Sequence, residues 1–82
     1  MYSLRLELLG TSGCHLCDQA EALLVGTLNL NLVEVVLVDI AEADDLMQQY
    51  ATRIPVLRNV EGGQCLDWPF DAQALTQFVS AT

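Results

Sequence analysis

Apolar and charged residues alternate from the start of the chain: over residues 4–9, leucines take turns with Arg5 and Glu7 until Gly10 interrupts. Period-two patterning of this kind predicts a strand with at least one face in a core. Gly13 supplies a tight turn, and from Cys14 to about Val25 the spacing becomes helical, with Leu16, Ala20, Leu23 and Leu24 on one stripe. Asp18, Gln19 and Glu21 lie off that stripe or near its N-terminal end, and Gly26 stands where a glycine C-cap would end the helix. Residues 32–38 are apolar apart from Glu34 and rich in valine, which predicts a second strand covered on both faces.

Beyond Asp39, residues 42–50 predict a short helix with Leu46, Met47 and Tyr50 as its apolar contacts. Ile54-Pro55 breaks that pattern, and residues 56–60 read as a third strand. Glu61-Gly62-Gly63-Gln64 has the composition of a hairpin turn, so residues 65–68 should return antiparallel. Asp71 is a suitable N-cap for a last helix in which Leu75, Phe78 and Val79 share a face. The predicted order is β-α-β-α-β-β-α. The first crossover should be right-handed and join two parallel strands, with the hairpin in the same sheet. No repeat, linker or low-complexity segment divides the chain, so one domain over residues 1–82 is expected.

Composition narrows the functional classes mainly by exclusion. The chain is 52% hydrophobic, which favours an ordered core over disorder. Eleven acidic residues stand against three arginines, there is no lysine, and the formal net charge is -8. Nucleic acid is therefore not an expected partner, since phosphate binding rests on cationic side chains, and an anionic membrane surface is disfavoured for the same reason. No apolar run approaches the roughly 18 residues of a spanning helix. Met1-Tyr2-Ser3-Leu4-Arg5 lacks the features of a secretory leader, so a cytoplasmic location is the default expectation, and a monomer is expected.

The candidate chemistry lies in Cys14-His15-Leu16-Cys17, between the first strand and the first helix. A thiol at the first turn of a helix meets unpaired N–H groups and the positive end of the dipole, which lower its pKa from the free value of about 8.5. Cys17, one turn further in, can displace a mixed disulfide formed at Cys14. A zinc site is the rival reading of such a pair, but it needs four ligands and only Cys65 and His15 remain to supply them. Hence no metal is expected, and the β-turn-α setting favours redox chemistry.

The turn Ser12-Gly13-Cys14-x-x-Cys17 between strand and helix resembles the opening of the thioredoxin superfamily, and of glutaredoxins in particular. Residues 50–57, Tyr-Ala-Thr-Arg-Ile-Pro-Val-Leu, are similar to the thioredoxin segment leading into a cis-proline, and Glu61-Gly62-Gly63 matches the hairpin after it. The resemblance spans essentially the whole chain. It implies a thioredoxin-like (glutaredoxin-type) α/β fold with a four-stranded mixed sheet flanked by helices. It also implies a thiol–disulfide oxidoreductase of cell redox homeostasis, with Cys14 as nucleophile and Cys17 as resolving thiol. Pro55 would be cis, and Ile54 and Pro55, with Arg53 and His15, would meet the substrate. That substrate would be a disulfide-containing protein or glutathione; no tightly bound cofactor is implied.

The sequence departs from the family pattern at several points. Glutaredoxins commonly carry Cys-Pro-Tyr-Cys, whereas His15-Leu16 stands here, and Thr11 replaces the usual basic residue before the motif. Gly62-Gly63 falls before the last strand, while the family's glutathione-contacting glycine pair follows it; Arg53 or Arg58 remains to pair with glutathione's carboxylates. A non-catalytic thioredoxin-fold binding module with a regulatory disulfide is the alternative, and a glutathione-dependent iron–sulfur carrier is a weaker one. His15 is either an imidazolium that stabilises the Cys14 thiolate or an exposed bystander. Cys65 reads as a small buried residue rather than a third redox thiol, and Phe70 as core, with Trp68 either core or groove.

Overall fold

The first strand, β1 (Leu4–Gly10), lies inside the sheet because both of its faces carry leucine toward its C-terminal end. The computed structural model describes residues 4–80, so the extreme ends of the expected 1–82 unit, including Met1, Tyr2 and Ser3, lie outside it. The remaining elements are α1 (His15–Thr27), β2 (Val33–Asp39), a 3-10 turn (Ile40–Glu42), α2 (Asp44–Tyr50), β3 (Val56–Asn59), β4 (Cys65–Asp67) and α3 (Ala72–Ser80). The sheet runs β2-β1-β3-β4. β1 and β2 are parallel, and β3 is antiparallel to both β1 and β4. This is the mixed four-stranded sheet and element order that the sequence predicts.

Two apolar clusters sit on the sheet. Leu6 and Leu8 of β1 and Leu57 of β3 meet Ala20 and Leu24 of α1 and Leu75 of α3. On the other face, Leu9 and Val56 meet Ile40 of the 3-10 turn and Tyr50 of α2. Side chains alternate between faces along a strand, so Leu8 and Leu9, and likewise Val56 and Leu57, feed opposite clusters. Each fully buried leucine contributes about 1.5–3 kcal/mol relative to exposure.

The alternation in β1 has a second consequence. Arg5 lies opposite Glu34 and Glu7 opposite Arg58 in the strand register. Both become cross-strand ion pairs, Arg5 Nε donating to Glu34 at 2.6 Å and Arg58 Nε to Glu7 at 3.0 Å. The charged positions that define the alternation thus find partners on neighbouring strands.

Four sequence expectations are corrected. Gly26 is not a C-cap: it lies inside α1, whose C-cap is Leu28, an extended residue whose N–H bonds to Leu24 O at 2.9 Å. The stripe of α1 is set by Cys17, Ala20 and Leu24, so Leu16, one position back around the helix, turns outward and is 45% exposed. Met47 is likewise exposed, because Leu46 and Tyr50, one turn apart, already supply the apolar contact of α2. Finally, β2 is not covered on both faces. It ends the sheet, with β1 on its inner side, and Val36 and Leu37 are 40% and 58% exposed.

The hairpin between β3 and β4 depends on a residue that the pattern did not single out. Buried Asn59 accepts from Gly63 N through its backbone oxygen at 2.8 Å and from Glu61 N through its side chain at 3.1 Å. Gly63 has φ +78°, a left-handed conformation that glycine adopts without steric cost. Asp71 caps α3 as expected, with Ala74 N donating to its carboxylate at 2.8 Å.

Candidate active site

The C-terminal end of β1 delivers the chain to Gly13, whose φ of +76° makes the turn into α1. Cys14 follows as the N-cap residue, in extended conformation, and its Sγ accepts a hydrogen bond from Cys17 N at 3.1 Å. A sulfur therefore occupies the capping position that serine or aspartate usually fills. Its lone pairs face one of the orphan N–H groups of the first turn, where negative charge is favoured. Cys14 and Cys17 form a disulfide with their Cα atoms 5.2 Å apart. The two sulfurs are not equivalent: Cys14 is half-buried, whereas Cys17 is buried.

Cys17 fits where it does because Gly10 has no side chain. A Cβ there would lie 2.8 Å from Cys17 Sγ. Gly10 is not among the glycines with positive φ, so space rather than backbone conformation requires it. Beside Cys17 opens a hollow of about 230 Å³ lined by Thr11, Leu37 and the carboxylate residues Asp18, Glu21 and Asp39. Asp39 is oriented by accepting from Ala41 N at 2.9 Å.

The other predicted site residues fall in two places. The Ile54–Pro55 peptide bond is cis, as the resemblance implies; the Trp68–Pro69 bond is cis as well, which was not expected. Leu9 pairs with Val56, and continuing that antiparallel register sets Pro55 across from Gly10, at the end of the sheet that carries the cysteine pair. Pro55 is fully buried and Ile54 is half-buried against the second cluster. His15 is exposed, and its ring bonds to the Gln19 side chain at 3.0 Å.

Arg53 points to a different partner. Its Nε and Nη2 donate to the two oxygens of Asp67 at 3.1 and 2.8 Å, and its guanidinium lies 5.1 Å from the centre of the Tyr50 ring. The hydrogen bond from Arg53, followed by its charge, holds the Asp67 carboxyl below the usual carboxylate value. Arg58 lies 5.9 Å from the same ring, and its contact with Glu7 raises its pKa. Tyr50 is thus approached by two guanidinium groups, each held by a carboxylate. Each of the chain's three arginines has an acidic partner.

Cys65 is half-buried against the second cluster, 4.0 Å from the Tyr50 hydroxyl. Phe70 is core, and Trp68 packs edge-on against it with ring centres 5.0 Å apart. Among the described residues, no three His, Cys, Asp or Glu side chains are grouped to hold a metal ion.

A mixed sheet in the order β2-β1-β3-β4, with a Cys-x-x-Cys disulfide at the first turn of the helix after β1, defines a thioredoxin-like protein of glutaredoxin type. The chain belongs to the glutaredoxin-like domain family (DUF836), whose model matches residues 5–80. Its structure is similar to the X-ray structure of protein XcR50 from X. campestris, with 38% identity and a TM-score of 0.82, covering 94% of this chain and 97% of that one. The solution structure of XcR50 matches with the same 38% identity, a TM-score of 0.79 and 94% of each chain covered. Protein Ne2328 from Nitrosomonas europaea is similar in fold, with 24% identity, a TM-score of 0.73 and coverage of 95% of this chain and 93% of that one. No curated protein matches the chain. Among the described residues, no helix is long and apolar enough to cross a membrane.

Proposed function

We propose that the protein is a thiol–disulfide oxidoreductase in which Cys14 is the nucleophile and Cys17 the resolving thiol. The observation that carries this reading is the Cys14 sulfur acting as N-cap acceptor for Cys17 N while in disulfide contact with the buried Cys17. In the reduced protein the same N–H favours the Cys14 thiolate. Burial and the carboxylates around the hollow disfavour negative charge on Cys17, so the attacking role falls to Cys14.

The Cys14 thiolate attacks one sulfur of a substrate disulfide. That S–S bond breaks, a mixed disulfide forms, and the other substrate sulfur leaves as a thiolate and takes a proton. Cys17 then loses its proton, and its sulfur attacks the Cys14 sulfur. The Cys14–Cys17 disulfide forms and the second substrate thiol departs. Two electrons pass from the dithiol to the substrate, and an external thiol reductant restores the dithiol by the reverse exchange.

A disulfide-containing protein fits this site better than glutathione does. Arg53 and Arg58, the cations considered for glutathione's carboxylates, are occupied by Asp67 and Glu7. In this reading Ile54 and Pro55 form the platform for the substrate chain and His15 lies at its rim, while Arg53 braces the platform through Asp67.

Alkylation of the reduced protein, followed residue by residue by mass spectrometry, tests the assignment. Cys14 should react at a pH where an ordinary thiol, with a pKa of about 8.5, is still protonated, and half-buried Cys65 should lag. A Cys14 that reacts only as an ordinary thiol, together with failure of the pair to reoxidise under mild oxidant, would sink the reading. It would leave a non-catalytic thioredoxin-fold binding module, with a regulatory disulfide only if the pair still reoxidised.

A further inference from the structure

β2 forms one margin of the sheet and lacks the features that usually protect an exposed edge. It is seven residues long, whereas β4 at the opposite margin has three. It contains no proline and no lysine, and its one mid-strand charge, Glu34, is tied to Arg5. Long, apolar, uncharged edges are templates for another strand.

A groove of about 410 Å³ runs along this margin, with Glu21, Leu24 and Val25 of α1 on one side and Leu30 and residues 33–37 on the other. Successive side chains of a strand point to opposite faces. A hollow touched by five consecutive strand residues therefore follows the edge of β2 rather than one face of it. Val25, Leu30, Val36 and Leu37, all lining this groove, are among the exposed large apolar side chains. Glu21 and Leu37 also line the hollow beside Cys17, so the two spaces adjoin, and the second adds Asp18 and Asp39.

We infer that the β2 edge and its groove dock an extended segment of a basic partner protein, which adds to the sheet as a fifth strand. Backbone hydrogen bonds to this edge, which pairs with no further strand among the described residues, supply affinity, as in other strand additions. Apolar side chains of the segment enter the groove, and its lysine or arginine side chains face Asp18, Glu21 and Asp39. Charge selects the occupant. A second copy of this chain would bring together two bodies of net charge -8, whereas a basic segment is attracted by the same field. This surface lies on the β2 side of the cysteine pair, away from the β3 side that carries Pro55, and does not depend on the redox assignment.

The probe is a fluorescein-labelled peptide as long as β2, valine-rich over the half that meets the groove and lysine-rich over the half that meets Asp18, Glu21 and Asp39, added to the full chain. Fluorescence polarisation measures affinity, and backbone amide shifts locate the site. We expect saturable binding that weakens with salt, with the largest shifts in residues 33–39. Leu37→Gln should weaken binding at least about tenfold, as expected for a central apolar anchor, and Leu37 is exposed enough for that variant to fold. Val36→Gln, at the other exposed position of the edge, should act in the same direction. Replacing lysine by glutamate in the peptide, or N-methylating its backbone, should abolish binding. Equal binding of the glutamate peptide, shifts concentrated away from β2, or no saturable binding would overturn the inference. So would sedimentation of the chain alone as a dimer that Leu37→Gln dissociates, because the edge would then belong to a second copy.

Discussion

Gly10 and Cys17 share one space: a Cβ on Gly10 would approach Cys17 Sγ to 2.8 Å and Cys17 Cβ to 3.3 Å. Real Cβ atoms do not approach a neighbour that closely, and Cys17 is held by the helix on one side and the sheet on the other. Gly10→Ala should therefore destabilise the reduced protein by about 1–3 kcal/mol, the usual cost of an extra carbon in a packed site. The cost should largely vanish in a Cys17→Ala background, where the contacting sulfur is gone. A double-mutant cycle from urea unfolding measures this coupling. An equal cost in both backgrounds would mean that the steric account is wrong.

Glycines 13 and 26 should respond in opposite directions. At Gly13 nothing lies within 4 Å of a Cβ, yet φ is +76°, so Gly13→Ala should cost about 1 kcal/mol of backbone strain. Gly26 has the same open surroundings without positive φ, and it sits inside α1. Gly26→Ala should stabilise the protein by about 0.5–1 kcal/mol, because alanine is the better helix former. Thermal or urea unfolding of the two variants checks both signs. A destabilising Gly26→Ala would restore the C-cap role that the sequence suggests for that glycine.

This contrast shows where the sequence was readable. Strand, turn and helix around Cys14 are written in local chemistry: the alternation of residues 4–9, the Gly13 turn, and helical spacing up to Leu24. The Asp71 cap and the Glu61–Gln64 hairpin are local in the same sense. The misreadings concern facts that local pattern does not contain. Whether β2 is central or marginal depends on strand order, so seven nearly apolar residues read as a covered strand although two of them face outward. Leu16 looked like core because its spacing to Ala20 is right, but Cys17 takes the inward position. Arg53 was legible as a cation near the proline. Its engagement with Asp67, fourteen residues on, appears only once β3 and β4 pair.

Cys17→Ser separates the two thiols. With the half-buried Cys14 left as the more accessible sulfur of the pair and no resolving thiol behind it, a mixed disulfide with substrate should accumulate. With Cys65 replaced by serine in both variants, Cys14→Ser should form none, because the remaining sulfur at Cys17 is buried. Non-reducing electrophoresis with a denatured, disulfide-bonded protein as substrate reads the difference. Mixed disulfides in equal yield from both variants would remove the distinction between nucleophile and resolving thiol.

The Arg53–Asp67 pair gives a pH-dependent prediction with a defined sign. Hydrogen bonding from Arg53 lowers the Asp67 pKa from its ordinary 3.8 in the folded state. A carboxylate so depressed contributes stability that is present above its unfolded value and lost as pH falls through the lower folded value. Both side chains are exposed, so the contribution is small and should shrink further with added salt. A carboxyl-carbon NMR titration should place the Asp67 midpoint below 3.8 in the parent protein and return it to the ordinary range in Arg53→Gln. The stability gap between the parent and Asp67→Asn should close in acid and stay constant between neutral and mildly acidic pH. A gap that widened in acid would require a different partner for Asp67 than the guanidinium of Arg53.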